Sequence, residues 1–169
     1  MKTVKLLKTC IDIYYYFVMI AMVLGLLTLP ILLFTTGSYE VNLFDSQTVD
    51  IGHLGTLKTL VLIVLMLVIF GVYFYTIRLI KKTVDVMSKG NYFSDYVIAN
   101  FSRIGKLFII CAIGFSLIRF AFRLIVSSTF SFGINTAFFI LLIMGLFMMF
   151  LSEAFNQAKR LKNENDLTI

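Results

Sequence analysis

The sequence predicts an all-α integral membrane protein: four transmembrane helices in an antiparallel bundle. A short amphipathic cytoplasmic helix is expected between helices 2 and 3, and a small extracytoplasmic β-hairpin between helices 1 and 2. Three observations predict this class. First, residues 13–39, 59–77, 107–118 and 124–152 contain no Asp, Glu, Lys or Arg, and a helix needs about 20 apolar residues to cross a bilayer. The third run is interrupted by Arg119 and Arg123, yet apolar sequence continues to Val126. Second, 60% of the 169 residues are hydrophobic, and the mean hydropathy is +0.96, which places a single domain in lipid. Third, the basic residues cluster. Lys2, Lys5 and Lys8 precede the first run, Arg78, Lys81, Lys82, Lys89, Arg103 and Lys106 fall between the second and third, and Lys159, Arg160 and Lys162 follow the fourth. The stretch between the first two runs has only Lys58. Basic loops stay in the cytoplasm, so both termini and the middle loop are expected there.

One domain, 1–169, is therefore expected, with spans at about 13–34, 59–80, 106–126 and 134–153 and a cytoplasmic tail at 154–169. The net charge of +6 is explained by topology, and its distribution argues against direct nucleic-acid binding. The first uncharged run is much longer than the 7–15 residues of a signal-peptide core. No A-x-A site follows it, so helix 1 is read as retained.

Helix 1 carries Tyr14, Tyr15 and Tyr16 at its cytoplasmic edge, where amphipathic rings suit the interface. Pro30 is expected to loosen or kink its last turn. In the outer loop, Tyr39, Val41 and Leu43 alternate with Glu40 and Asn42, the period of a half-buried strand. Thr48–Ile51 can pair back onto it across 45–47. Helix 2 ends in the cluster Arg78, Lys81 and Lys82. After a turn at Gly90-Asn91, Ser94 is a good N-cap. Tyr96, Val97, Phe101 and Ile104 then recur at helical spacing, which predicts a short helix lying on the membrane surface. The loop between helices 3 and 4 is short, so these two are expected to be antiparallel neighbours. Beyond Glu153, Phe155, Ala158 and Leu161 keep three-residue spacing, and helix 4 is expected to continue into the cytoplasm. The small-residue pairs Ala21–Gly25 and Ala112–Ser116 are expected to favour close helix packing.

Arg119 and Arg123, at i and i+4, share one face in the outer half of helix 3. A guanidinium at membrane depth costs several kcal/mol unless it is paired, hydrated or able to snorkel. Two stacked arginines can line a pocket for an anionic ligand or lipid headgroup. The plainer alternative is that they snorkel outward or pair with Glu40, Asp45 or Asp50. Asp12 and Glu153 lie at matching cytoplasmic helix ends, too shallow for a proton relay. Cys10 and Cys111 both fall towards the cytoplasm, where thiols stay reduced. His53 is the only histidine, so a metal site has little support. No P-loop, HExxH, GxSxG or dinucleotide fingerprint is present. No enzyme and no cofactor is expected.

Two segments, GNYFSDYVIANFSRIG at 90–105 and AKRLKNENDLTI at 158–169, resemble the bacterial membrane-protein family catalogued as domain of unknown function 2975. The resemblance rests on Gly90, Phe93 and Ser94, then Leu161, Glu164, Asp166, Leu167 and Thr168; Asp95-Tyr96 stands where the family often has Glu-Asn. It implies four spans in a bacterial cytoplasmic (inner) membrane, with no established activity. It also implies, by gene association, a regulatory partner of the helix-turn-helix type. Both segments fall on the cytoplasmic side, so Phe93, Ser94, Leu161, Glu164, Asp166, Leu167 and Thr168 form a candidate docking face. The alternative is that the segments pack on each other, with Glu164 and Asp166 pairing Lys81, Lys82 or Arg103. The functional expectation is a regulatory or sensory membrane protein with a cytoplasmic partner. An accessory subunit of a larger membrane complex, or a small transporter or channel subunit working as a homo-oligomer, is the alternative.

Overall fold

A computed structural model describes the backbone of residues 2–34, 40–42, 48–50, 56–127 and 135–166, and the side chains of 2–28, 57–125 and 135–165. Four long helices account for nearly all of it: α1 Lys2–Phe34, α2 Thr56–Ser88, α3 Asp95–Ser127 and α4 Thr136–Asp166. Each is long and apolar enough to cross a membrane. Between α1 and α2, the three-residue strands β1 Glu40–Asn42 and β2 Thr48–Asp50 pair antiparallel, with Val41 opposite Val49. The residues joining the two strands, and His53 and Asp45, lie outside the described residues.

The helices overrun the spans expected from sequence, all at the same end. At 1.5 Å per residue, 33 residues extend roughly 50 Å, against about 30 Å of bilayer hydrocarbon. The excess is residues 2–12 of α1, 81–88 of α2, 95–105 of α3 and 154–166 of α4, which carry most of the charges. The surface helix expected ahead of the third span is not a separate element. Its residues form the first turns of a continuous α3, and Val97, Phe101 and Ile104 are buried inside the row of helices. An apolar stripe at helical spacing looks the same whether lipid or a neighbouring helix covers it; here neighbouring helices cover it, with Phe155 of α4 stacked on Phe101. α1 likewise continues past Pro30 to Phe34.

Packing runs between sequence neighbours: α1 against α2, α2 against α3, and most extensively α3 against α4. Partners run in opposite senses along adjoining helices. Tyr15 stacks on Phe74 while Asp12 meets Lys81; Gly105 faces Gly145 while Asp95 meets Lys159. The neighbours are thus antiparallel, as short connections between apolar helices dictate. Among the described residues, no extensive α1–α4 contact closes the four-helix bundle, which is open between α1 and α4, and no part of α1's apolar window is buried.

The core sits near the charged end. The buried residues of α2 fall between Thr76 and Val84, and those of α3 include Val97, Asn100, Phe101, Ile104 and Cys111. Farther from this end, exposed Leu, Ile, Val and Phe coat the helices, as suits surfaces facing acyl chains. α3 and α4 approach closely where Gly105 faces Gly145. A Cβ on Gly105 would lie 2.5 Å from the Gly145 carbonyl oxygen, and one on Gly145 would lie 2.8 Å from that of Gly105. The expected small-residue contact at Ala21–Gly25 is absent, since nothing lies within 4 Å of a Cβ built on Gly25. Both residues instead line an apolar groove of about 420 Å³ between α1 and α2.

Candidate functional site

The sequence features singled out around Phe93 and Leu161 converge on the charged end of the row. The α2–α3 turn is built by its glycine: Gly90 has φ 91°, a left-handed conformation that favours Gly. There its N–H donates to the Met87 carbonyl at 3.0 Å, and the Lys89 N–H donates to Val86 at 3.2 Å. These bonds satisfy carbonyls that the end of α2 leaves unpaired. Ser94 then caps α3, its Oγ accepting from the Val97 N–H at 3.3 Å. Asp95 follows in the first turn, where the helix dipole favours an acid.

The tail of α4 packs onto this start. The Ser152 hydroxyl donates to the Ile98 carbonyl at 2.7 Å. Phe155 lies against Phe101 and Phe93, both with ring centroids 5.5 Å away. Lys159 Nζ meets Asp95 Oδ1 at 2.6 Å. The two family-bearing segments are thus brought together, but through Phe155, Lys159 and Asp95, which the sequence reading did not select for this face. The signal for Phe155 was its helical spacing with Ala158 and Leu161. α4 does continue past Phe155, but Leu161 is 62% exposed, and Phe93 remains 40% exposed despite its contact. Glu164 is exposed and does have a partner. Asp166 ends α4 with its side chain outside the described residues, where Leu167 and Thr168 also lie.

A second set of charges ties α1 to α2. Lys8 bonds to Asp85, which also accepts Lys89 at 2.9 Å. Lys81 pairs with Asp12 at 3.2 Å. The Lys81 ammonium also lies 4.5 and 4.6 Å from the Tyr15 and Tyr16 ring centroids, within cation–π reach. Asp85 lies beyond the apolar run of α2. Its hydrogen bonds from Lys8 and then Lys89 outweigh desolvation and hold its carboxyl down at about 2. One polar atom of the core stands apart: Asn100 Nδ2 is buried without a hydrogen-bond partner among the described residues.

Arg119 and Arg123 sit on α3 far from this end. Both are half-buried and neither lacks a partner; the side chains of Glu40, Asp45 and Asp50 are outside the described residues. Cys10 is exposed and Cys111 buried, both as free thiols. Among the described residues, no cluster of three or more His, Cys, Asp or Glu could hold a metal. Chemically, the charged end offers ion pairs, stacked rings and an exposed apolar rim, which are means of binding.

Residues 7–169 match the model of a family described as a protein of unknown function (DUF2975). No curated protein and no solved structure matches.

Proposed function

The chain belongs to this DUF2975 family, and from that membership we propose a multi-pass protein of a bacterial cytoplasmic membrane that acts, without catalysis, as a regulatory or sensory component. Its charged end faces the cytoplasm and docks a soluble partner. The basic residues gathered there support the orientation. The β1–β2 pair caps the opposite, outer end as a hairpin.

One observation carries the docking reading. Leu161 is 62% exposed and stands among Lys159, Arg160 and Lys162, beyond the reach of acyl chains. Large apolar side chains on the spans are covered by lipid, whereas one on a water-facing helix is left for a protein. Phe93 adds a second exposed apolar side chain at the same end. The test compares affinity capture by tagged full-length protein, by Leu161→Ser and by a chain ending at Leu161. The reading expects a soluble regulator bound by the full-length chain and lost from both variants. Equal capture by all three forms overturns it.

A specific feature favours the accessory-subunit reading as the alternative. The open row leaves α1 uncovered, beside an apolar groove lined by Ala21, Gly25, Met66 and Phe70. Co-purification of one membrane complex in mild detergent, independent of Leu161, would select it.

A further inference from the structure

The charged end holds a cavity distinct from the α3–α4 face. It has a volume of about 330 Å³ and is walled by Arg78, Lys81, Lys82 and Asp85 of α2, Tyr15 of α1 and Tyr96 of α3. Ligand pockets commonly span about 300–1,000 Å³, so it is large enough for a phosphate group and the glycerol attached to it.

Its charges are unbalanced. Asp85 already accepts Lys8 and Lys89, and Asp12 already holds Lys81. That leaves Arg78 and Lys82, exposed and without an ion-pair partner among the described residues. Three cations thus wall the cavity with one carboxylate, which Lys8 and Lys89 already hold. Arg78 and Lys82 are i and i+4, so the helix aims both from one face. A guanidinium offers a planar fork and an ammonium a compact charge, a pairing suited to phosphate oxygens. Tyr15 of α1 and Tyr96 of α3 also line the cavity and carry hydroxyls able to donate. The position is equally telling. Arg78 immediately follows the charge-free run 59–77, where hydrocarbon gives way to headgroups. Basic pockets between helices at that depth suit anionic lipid headgroups.

We propose that the Arg78–Lys82 pocket binds a phosphate group, supplied by an anionic phospholipid or by a free phosphate compound. This site is additional to the docking face. Its detergent assay does not depend on that reading or on the orientation of the chain.

The test uses the full-length protein and Arg78→Gln/Lys82→Gln. Neither side chain makes a described ion pair, so the variant should fold. The control Arg103→Gln/Lys106→Gln removes the same charge from exposed positions at the same end, outside the pocket. In the first arm, protein is released from nanodiscs of equal phosphatidylglycerol and phosphatidylcholine, and retained lipid is counted by native mass spectrometry. In the second, the melting temperature in detergent is followed as inorganic phosphate replaces chloride at fixed ionic strength. A loss of phosphatidylglycerol retention of about tenfold or more in the pocket variant, but not the control, supports a lipid headgroup; this is the scale expected for two interfacial cations. Stabilisation by inorganic phosphate that the pocket variant alone loses supports a free phosphate ligand. The proposal fails if the pocket variant behaves as wild type in both arms, or if the control loses as much.

Discussion

Gly105 and Gly145 show how little room a single position can leave. A methyl on Gly105 would press on a backbone oxygen at 2.5 Å, and backbone cannot rotate aside as a side chain can. Gly105→Ala should therefore force α3 and α4 apart and lower stability by about 1–3 kcal/mol, the usual scale of overpacking. Gly25→Ala, with nothing within 4 Å, should leave the melting temperature in detergent unchanged or slightly raised. If the two variants melt alike, the glycine contact is not a packing constraint. The sequence did not reveal this crossing, for a physical reason. Small-residue pairs four apart on one helix can be read from a chain, whereas this contact joins one glycine from each of two helices. Asp85 yields a second residue-scale prediction. Its carboxyl titrates at about 2, below its ordinary value of 3.8. Its contribution is complete above the ordinary value and disappears as pH falls through about 2. Asp85→Asn should thus lower the melting temperature at neutral pH, with the difference from wild type closing between pH 3.8 and 2. A difference that persists unchanged at pH 2 would assign the effect to something other than charge.

At the level of elements, the α3–α4 pair decides whether the charged end is ordered. Phe155 holds the tail through Phe93 and Phe101, and Ser152 and Lys159 flank it with polar bonds to α3. Phe155→Ala should expose backbone amides of 153–166 to hydrogen exchange while those of the α3–α4 spans stay protected. Equal protection in both forms would mean that the polar bonds suffice. Four helices were legible because charge-free runs of sufficient length have few alternatives in lipid. The Ser94 cap and the Gly90 turn were legible because each depends on its own residue type. The overhangs were harder to read. The run 95–104 has an apolar stripe and charged flanks, and periodicity does not say what covers the stripe. Only the tertiary placement of α4 separates a helix lying on a membrane from the first turns of α3. The docking face, drawn from the resemblance, named Leu161 and passed over Phe155, which makes the contact with α3.

For the whole molecule, the arrangement divides labour between two solvents. Lipid can cover the long apolar faces without any protein core. In the proposed membrane setting the overhangs project into water, where burial of Val84, Val97, Phe101 and Ile104 gains from the hydrophobic effect. The native cysteines test this geometry directly. Cys10, exposed on the α1 overhang, should react with a membrane-impermeant maleimide in inverted vesicles and not in intact spheroplasts, and buried Cys111 should react in neither. Labelling of Cys10 from outside would reverse the proposed orientation. The ion pairs of α1 also have a consequence in time. α1 is synthesised first, yet its bond from Lys8 reaches Asp85 across 77 positions, so it must wait in the bilayer until most of α2 has emerged. During that wait α2 does not yet shield Lys8 or Asp12, and both lie just before the apolar run that begins at residue 13. A first helix greasy on all faces, with its charges kept at the rim, can survive that interval alone and accept its neighbour when it arrives.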